Sequence, residues 1–351
     1  MRLALRGGNV IEWLALRAGL VPRPAAEVWG GMAQAGVLVA AVELGLTDRL
    51  AAGPATAAQL STELGLDPTA TRLLLRCLRS ARYVIRRGPV YRLSRSGRRW
   101  LDPAAGGSVS GFVAANADYW SWWARLPEVA RTGRPVGQHE AAPDDPYWRR
   151  YLYGQRDLAR LTAGGVARRL RVPAGARSLL DVGGGHGWYA AELCRRHPGL
   201  TATVLDLPGS AAIGREIIAS ARMTERVHHR DGDALDPATY ATGLDGPYDV
   251  VCCFNLVHHL SEADIVALLR NIRGVLRPGG TLAVLDGFAP AGRGSAATDV
   301  LGLFVYLSSG AQAYPADRVP VWLGEAGFTT PPQRSPVRRI PGLVLFQTTA
   351  P

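Results

Sequence analysis

The sequence predicts an α/β protein: a mainly helical N-terminal half followed by a mostly parallel sheet covered by helices on both faces. Three observations predict it. Beyond residue 177, apolar runs of four to six residues alternate with helical patterns, as expected of parallel strands buried on both sides. The first of these runs is joined to the first helix by a glycine-rich turn. Before Val172-Pro173-Ala174-Gly175, by contrast, helical periodicity dominates and strand-like runs are short.

In chain order, residues 33–51 read as an amphipathic helix and 56–66 as a second, with Leu60 and Leu64 on one stripe. Asp67-Pro68-Thr69 is a helix start, because the carboxylate can cap free N–H groups and proline is tolerated where no intrahelical donor is needed. That helix leads into two β-like runs, 83–85 and 90–93, joined by Arg86, Arg87, Gly88 and Pro89. Helix, turn, helix and hairpin together resemble a winged helix. An aromatic helix at 119–126, a loop rich in Pro, Gly and Asp at 135–146, and an aromatic, basic helix at 147–169 then reach the seam. The expected division is a winged-helix-like domain at 1–105, connecting aromatic helices at 106–172 and the sheet domain at 173–351. Strands are expected at SLLDV, TATVLD, RVHHRDGD, DVVCCFN, TLAVLD and LVLFQT.

Composition narrows the chemistry. All forty basic residues of the 351 are arginine, and the net charge is +11. Without lysine, no Schiff-base or pyridoxal chemistry, Walker A phosphate loop or protein-kinase site can be built. Cys77, Cys194, Cys252 and Cys253 lack CxxC spacing, which argues against a zinc site and a disulfide framework. The apolar run at 36–46 is interrupted by Glu43 and is shorter than the roughly 20 residues of a membrane span. Charges inside each apolar stretch of the first twenty residues are unlike a signal peptide. A soluble cytoplasmic protein without a membrane partner is expected.

The turn Asp181-Val-Gly-Gly-Gly-His-Gly187 can bring backbone N–H groups close to a ligand, and Asp206 ends the next strand. Both features also occur in dinucleotide folds. Here the spacing is G-x-G-x-G, the bulky Trp188 takes the place of a third glycine, and a carboxylate beside the loop suits a cationic ligand. Gly232-Asp233 ends the third strand, and Arg277-Pro278-Gly279-Gly280 precedes the fifth. In this order, DVGGGHG, LDLP, GD and LRPGG, the chain resembles the class I S-adenosylmethionine (SAM)-dependent methyltransferases. The winged-helix-like half, Asn255-Leu-Val-His-His-Leu260 and Asp286-Gly-Phe-Ala-Pro290 are similar to small-molecule O-methyltransferases of the plant caffeate and bacterial natural-product type, over nearly the whole chain.

The resemblance implies a Rossmann-like, mostly parallel seven-stranded SAM-binding domain and an N-terminal winged-helix dimerisation domain that makes a homodimer. It implies SAM as cofactor, S-adenosylhomocysteine as product and a small-molecule acceptor. Gly183 and Gly185, with Asp181 beside them, would face the methionine part of SAM. Asp206 would hold the ribose hydroxyls, Leu207 would pack on adenine, and Asp233, next to Ala234, would accept from the adenine amino group. Phe254 stands where plant members carry a lysine beside SAM, so the SAM carboxylate needs an arginine or tyrosine from 147–160.

Methyl transfer from a sulfonium needs alignment of the acceptor and, for a phenol, removal of its proton. In the resembling family a histidine followed by aspartate supplies the base. Here the pair is His258-His259, which implies His258 as base and Asp286 as its orienting acid, with Gln312 at the place of a second acid. Those departures keep a second reading open, C-methylation of an α-keto acid with metal assistance; a third is non-methylating chemistry on the same scaffold. Neighbouring side chains diverge in a strand or helix, so one ion could hardly bind both histidines, and no metal site is assigned. His228 and His229 read as structural, and His139 and His197 as chemically idle. His259, Trp120, Tyr151 and Gln312 are the acceptor-binding candidates, the aromatic residues being able to line a flat pocket or simply to pack.

Ten arginines against one acid between Asp67 and Arg99 hold nine of the eleven excess positive charges. This is the footprint of a nucleic-acid-binding winged helix. Against a regulator of that kind stand Leu73, Leu74, Leu75 and Leu78, which leave little polar face for reading bases, so nucleic acid is not the expected partner.

Overall fold

Gly45, with φ at 71°, divides the helix expected at 33–51 into Arg23–Glu43 and Leu46–Ala52, because a left-handed residue cannot continue a helix. The computed structural model describes residues 9–289, 292, 296–337, 340 and 342–351. It forms two compact units, Met1–Ala117 and Asp118–Pro351.

In the first unit, Thr56 opens the helix Ala57–Glu63 with a capping box to Gln59. The Asp67 carboxylate accepts from the Ala70 N–H at 2.7 Å and opens Pro68–Ser80, as the sequence predicts. That helix buries Thr71, Leu75 and Leu78 against Leu46, Leu50, Leu60 and Val84, and turns its arginines outward. Strands β1 (Ala55–Thr56), β2 (Val84–Arg87) and β3 (Val90–Leu93) form an antiparallel sheet of order β1-β3-β2, completing a winged-helix arrangement. The apolar run read as only 36–46 belongs to the longer Arg23–Glu43, whose 21 residues are long and apolar enough to cross a membrane by length and composition alone. Two of those residues, Val39 and Ala41, are buried, whereas Val28, Trp29 and Met32 are exposed.

The boundary between the units falls inside the helix Ser110–Ala124, so the aromatic helices up to Ala167 belong with the sheet, and the segment 172–175 is a link within the second unit. The seven strands are β4 (Ser178–Val182), β5 (Thr201–Asp206), β6 (Val227–Asp231), β7 (Tyr248–Phe254), β8 (Leu276–Gly287), β9 (Gln333–Pro336) and β10 (Leu343–Thr349). Their order is β6-β5-β4-β7-β8-β10-β9; the first five are parallel, and β10 runs antiparallel to β8 and β9. The chain winds outward through β5 and β6 on one side of β4 and through β7 and β8 on the other. The crevice beyond the C-terminal ends of β4 and β7 is therefore the switch point where open α/β sheets bind ligands.

Candidate active site

The turn after β4 lies at that crevice. Gly183, Gly185 and Gly187 have φ of 64°, 48° and 64°. A Cβ on Gly183 would lie 2.9 Å from Leu256, and one on Gly184 2.6 Å from the Asp181 carboxyl carbon. The Gly185 N–H donates to Asp206 Oδ2 at 2.6 Å, and the Leu207 N–H to Oδ1 at 2.8 Å. The Ser210 side chain is a third partner, and the Asp206 carboxylate keeps part of its accepting capacity for a ligand hydroxyl. Burial raises the Asp206 pKa despite these bonds.

Asp181 is 1% exposed; among the described residues no side chain hydrogen-bonds its carboxylate, and the Ala190 N–H is a weak backbone partner. Burial first, and the nearby Asp206 charge second, push its pKa up to about 7. A buried, under-satisfied carboxylate beside backbone that tolerates no Cβ fits a cationic amino-acid group such as the ammonium of SAM.

His229, read as structural, supports this turn directly: its Nε2 lies 2.9 Å from the Gly185 carbonyl. A carbonyl only accepts, so Nε2 carries the proton. Burial lowers this histidine to about 4 and keeps it neutral. Within the turn, His186 Nδ1 accepts the Trp188 N–H at 3.0 Å, and burial lowers it to about 3.

The other cofactor candidates are spread around the turn. Leu207 is partly buried against the aromatic cluster. Asp233 is exposed and caps its own turn, accepting from the Leu235 N–H at 2.8 Å, while the Ala234 carbonyl takes the Tyr240 hydroxyl. Phe254 is buried, edge-on to Tyr189 at 5.2 Å.

The histidine pair sits on a 3-10 turn after β7, Val257–His259. His258 Nδ1 lies 2.6 Å from Asp286 Oδ1, and Asp286, at the end of β8, is 1% exposed. The Gly287 N–H donates to the same oxygen at 2.6 Å, and the His258 N–H donates to the other at 3.3 Å. An ionised carboxylate can only accept, so Nδ1 carries a proton, and in the neutral ring Nε2 is the nitrogen with the lone pair.

The His258 and His259 rings do not diverge as expected of sequence neighbours: their centroids are 4.0 Å apart. The tight turn replaces the strand or helix geometry on which divergence depends. His139, read as idle in its loop, meets His259 edge-on at 4.6 Å and is held by Gln138, 2.8 Å away. Burial lowers His139 to about 4 and His259 well below the usual histidine range. His259 Nδ1 is buried without a partner among the described residues. No sequence signal links His139 to His259 across the intervening chain. Among the described residues, no group of three or more His, Cys, Asp or Glu side chains is disposed to hold a metal.

Tyr151 stacks on Tyr147 at 5.4 Å and lies edge-on to His139 at 5.9 Å; its hydroxyl pKa is raised by burial and by the charges of Tyr119 and Asp206. Tyr119, Trp122 and Phe304 close the same aromatic cluster. Trp120 stands apart from it and is 38% exposed. On one helix, Tyr119, Trp122 and Trp123 share a face by i, i+3, i+4 spacing, and Trp120 is turned about 100° from Tyr119. Gln312 is also exposed; its side chain lies at the Tyr314 hydroxyl, which donates to the Leu260 carbonyl at 2.8 Å. The end of the Asp286 motif, Pro290, lies outside the described residues.

Sheet order, glycine turn and acidic strand ends together define a class I SAM-dependent methyltransferase. Residues 132–329 match the O-methyltransferase domain and residues 26–103 the O-methyltransferase dimerisation domain, so the chain belongs to the O-methyltransferase family and uses SAM. It is 34% identical to the tetracenomycin polyketide synthesis 8-O-methyl transferase TcmO of Streptomyces glaucescens, over 83% of this chain and 87% of that one. It is 30% identical to a 3-hydroxy-5-methyl-1-naphthoate 3-O-methyltransferase of Streptomyces sahachiroi, over 73% and 74%. Human N-acetylserotonin methyltransferase in complex with SAM shares the fold, with a TM-score of 0.79 at 21% identity over 93% of this chain and 97% of that one.

Proposed function

We propose that this SAM-dependent O-methyltransferase acts on an aromatic hydroxyl of a small natural-product acceptor, with His258 as general base and Asp286 as the acid that orients it. The observation that carries this reading is the His258 Nδ1 to Asp286 contact at 2.6 Å, which leaves Nε2 as a proton acceptor beside an aromatic cluster. The activities for which the Streptomyces relatives are named, 8-O-methylation in polyketide synthesis and 3-O-methylation of a naphthoate, support a flat phenolic acceptor.

SAM supplies a methyl group already activated for displacement. The protein's own residues align the acceptor and take its proton. A phenol titrates near 10, so transfer of its proton to His258 as the oxygen attacks lowers the barrier. Buried Asp286 steadies the imidazolium that forms, while Tyr151, Tyr147 and Trp122 exclude water from the acceptor. Asp181 and the glycine turn would hold the methionine end of SAM, Asp206 its ribose, and Leu207, Asp233 and Ala234 its adenine; Phe254 would pack behind the methionine end through Tyr189. Arg156 and Arg160 are the proposed partners of the SAM carboxylate. Arg156 acts electrostatically on His186 in the turn, and Arg160 lies over Trp188 at 5.9 Å. Trp120 and Gln312, both exposed, are left out of the acceptor site. Four free thiols accord with a reducing cytoplasm.

The test is methyl transfer from labelled SAM to hydroxynaphthoate and polycyclic phenol acceptors, with and without chelator. His258→Ala should lose about 10² to 10⁴ in kcat while SAM affinity is unchanged. Full turnover in that variant sinks the base assignment, and loss of turnover with chelator, restored by a divalent ion, favours the keto-acid reading.

A further inference from the structure

We propose that the winged-helix unit carries a second binding site, for a small polyanion of the triphosphate class, held by Arg72, Arg76, Arg79 and Arg86. Three of these arginines come from one face of the helix Pro68–Ser80, at i, i+4 and i+7, and the fourth from β2 opposite. With Thr69, Leu73 and Tyr91 they line a cavity of about 350 Å³ between helix and hairpin. Among the described residues, no acid contributes to its wall.

The concentration of charge is not explained by the arginine-rich composition. Surplus arginine spread at random would leave about one excess charge in a stretch of this size, whereas residues 67–99 hold nine of the eleven. Elsewhere these guanidinium groups find acids: Arg49 pairs with Glu63, Arg150 with Asp118 and Arg277 with Asp249. None of the ten arginines from 72 to 99 forms an ion pair with a carboxylate among the described residues, whereas in the same unit Arg23 pairs with Glu27 and Arg49 with Glu63.

Two of the four guanidinium groups are already positioned. Arg72 Nη2 donates to Thr69 Oγ1 at 2.9 Å; Arg86 Nε donates to the Gly88 carbonyl at 2.8 Å while its plane lies over Tyr91, 5.5 Å from the ring centroid. These bonds use part of each five-donor fork and leave the rest for ligand oxygens, so little ordering entropy remains to be lost on binding. Along the helix axis, Arg72 and Arg76 are about 6 Å apart and Arg76 and Arg79 about 4.5 Å. Their long, flexible side chains can converge from these turns on one compact ligand, and a triphosphate brings about as many negative charges as the wall has positive ones. Convergence on a cavity favours a compact polyphosphate over a duplex, whose phosphates are spread along a ridge.

A dimer interface is a poor use for this face. In a two-fold dimer the same patch meets itself or a neighbouring patch of its copy, and like charges repel. The exposed apolar residues of Arg23–Glu43 offer a better surface within the matched dimerisation domain.

The experiment is calorimetric titration of the full-length protein with sodium tripolyphosphate, with orthophosphate and with a short DNA duplex, each at low and at moderate salt. The proposal expects a single tripolyphosphate site per chain, weaker binding of orthophosphate, and at least ~tenfold loss of affinity in Arg76→Ala/Arg79→Ala and, independently, in Arg72→Gln/Arg86→Gln, with melting temperature, oligomeric state and methyl transfer unchanged. Absence of tripolyphosphate binding at low salt overturns it, as does affinity retained in both double variants. Binding of duplex without tripolyphosphate also overturns it, assigning the face to a nucleic-acid backbone.

Discussion

With Asp181 proposed at the methionine end of SAM, cofactor binding would be coupled to protonation. Its ordinary pKa is near 3.9 and its folded value about 7, so between those pH values the unfolded chain ionises this group while the folded protein without cofactor keeps it protonated. Burial of Asp181 therefore costs stability progressively as pH rises through that window, and a cationic ligand that favours the ionised form reverses part of the cost. SAM affinity should rise with pH up to about 7, by no more than about tenfold per unit, with proton release on binding. Asp181→Asn should bind more weakly at pH 7 and flatten that dependence; titration in buffers of different ionisation enthalpy measures both, and a wild-type affinity independent of pH from 5 to 7 contradicts the assignment. The residue was legible in sequence as an acid next to glycines, and so were His258 and Asp286, because their motifs lie at strand ends. His139 was not legible. Its place beside His259 depends on how a long irregular loop returns to the crevice, and loop path leaves no periodic trace in the sequence.

At the scale of elements, strand and helix order followed from apolar periodicity, and the Asp67-Pro68 helix start followed from cap chemistry. The break at Gly45 was missed because glycine is compatible with a helical reading; its positive φ comes from the docking of the following helix, Leu46–Ala52, whose Leu46 and Leu50 are buried. The packing of Pro208–Ser220 beneath the glycine turn was equally invisible. Gly214 in that helix lies where any Cβ would overlap both the His229 ring and the Gly185 carbonyl, so its bareness permits the hydrogen bond that holds the turn. Gly214→Ala should displace His229, cost about 1 to 3 kcal/mol of stability and weaken SAM binding at least about tenfold; a chemical-denaturation curve and a SAM titration read the two effects separately. The helix itself should gain slightly from alanine, so a net stabilisation with unchanged SAM affinity refutes the close contact.

For the whole molecule, apolar surface left on one chain argues for its copy. Val28, Trp29 and Met32 are 64%, 79% and 61% exposed on the helix Arg23–Glu43, spaced so that Val28 and Met32 share a face with Trp29 at its margin. This length and apolarity would also suit a membrane span, but the helix lies largely within residues matched by the O-methyltransferase dimerisation domain, which supports a homodimer. Burying one tryptophan removes about 150–250 Å² from water, worth roughly 4 to 6 kcal/mol at about 25 cal/mol per Å², and a two-fold interface buries it twice. Part of that is offset by lost rotational and translational freedom, so Trp29→Glu is expected to weaken association by at least about a hundredfold and not to abolish folding of either unit. Sedimentation equilibrium should show a dimer for the parent and a concentration-dependent shift to monomer for Trp29→Glu, with Arg76→Ala/Arg79→Ala remaining dimeric. A fully dimeric Trp29→Glu protein would move the interface off this helix and leave its apolar face for another occupant.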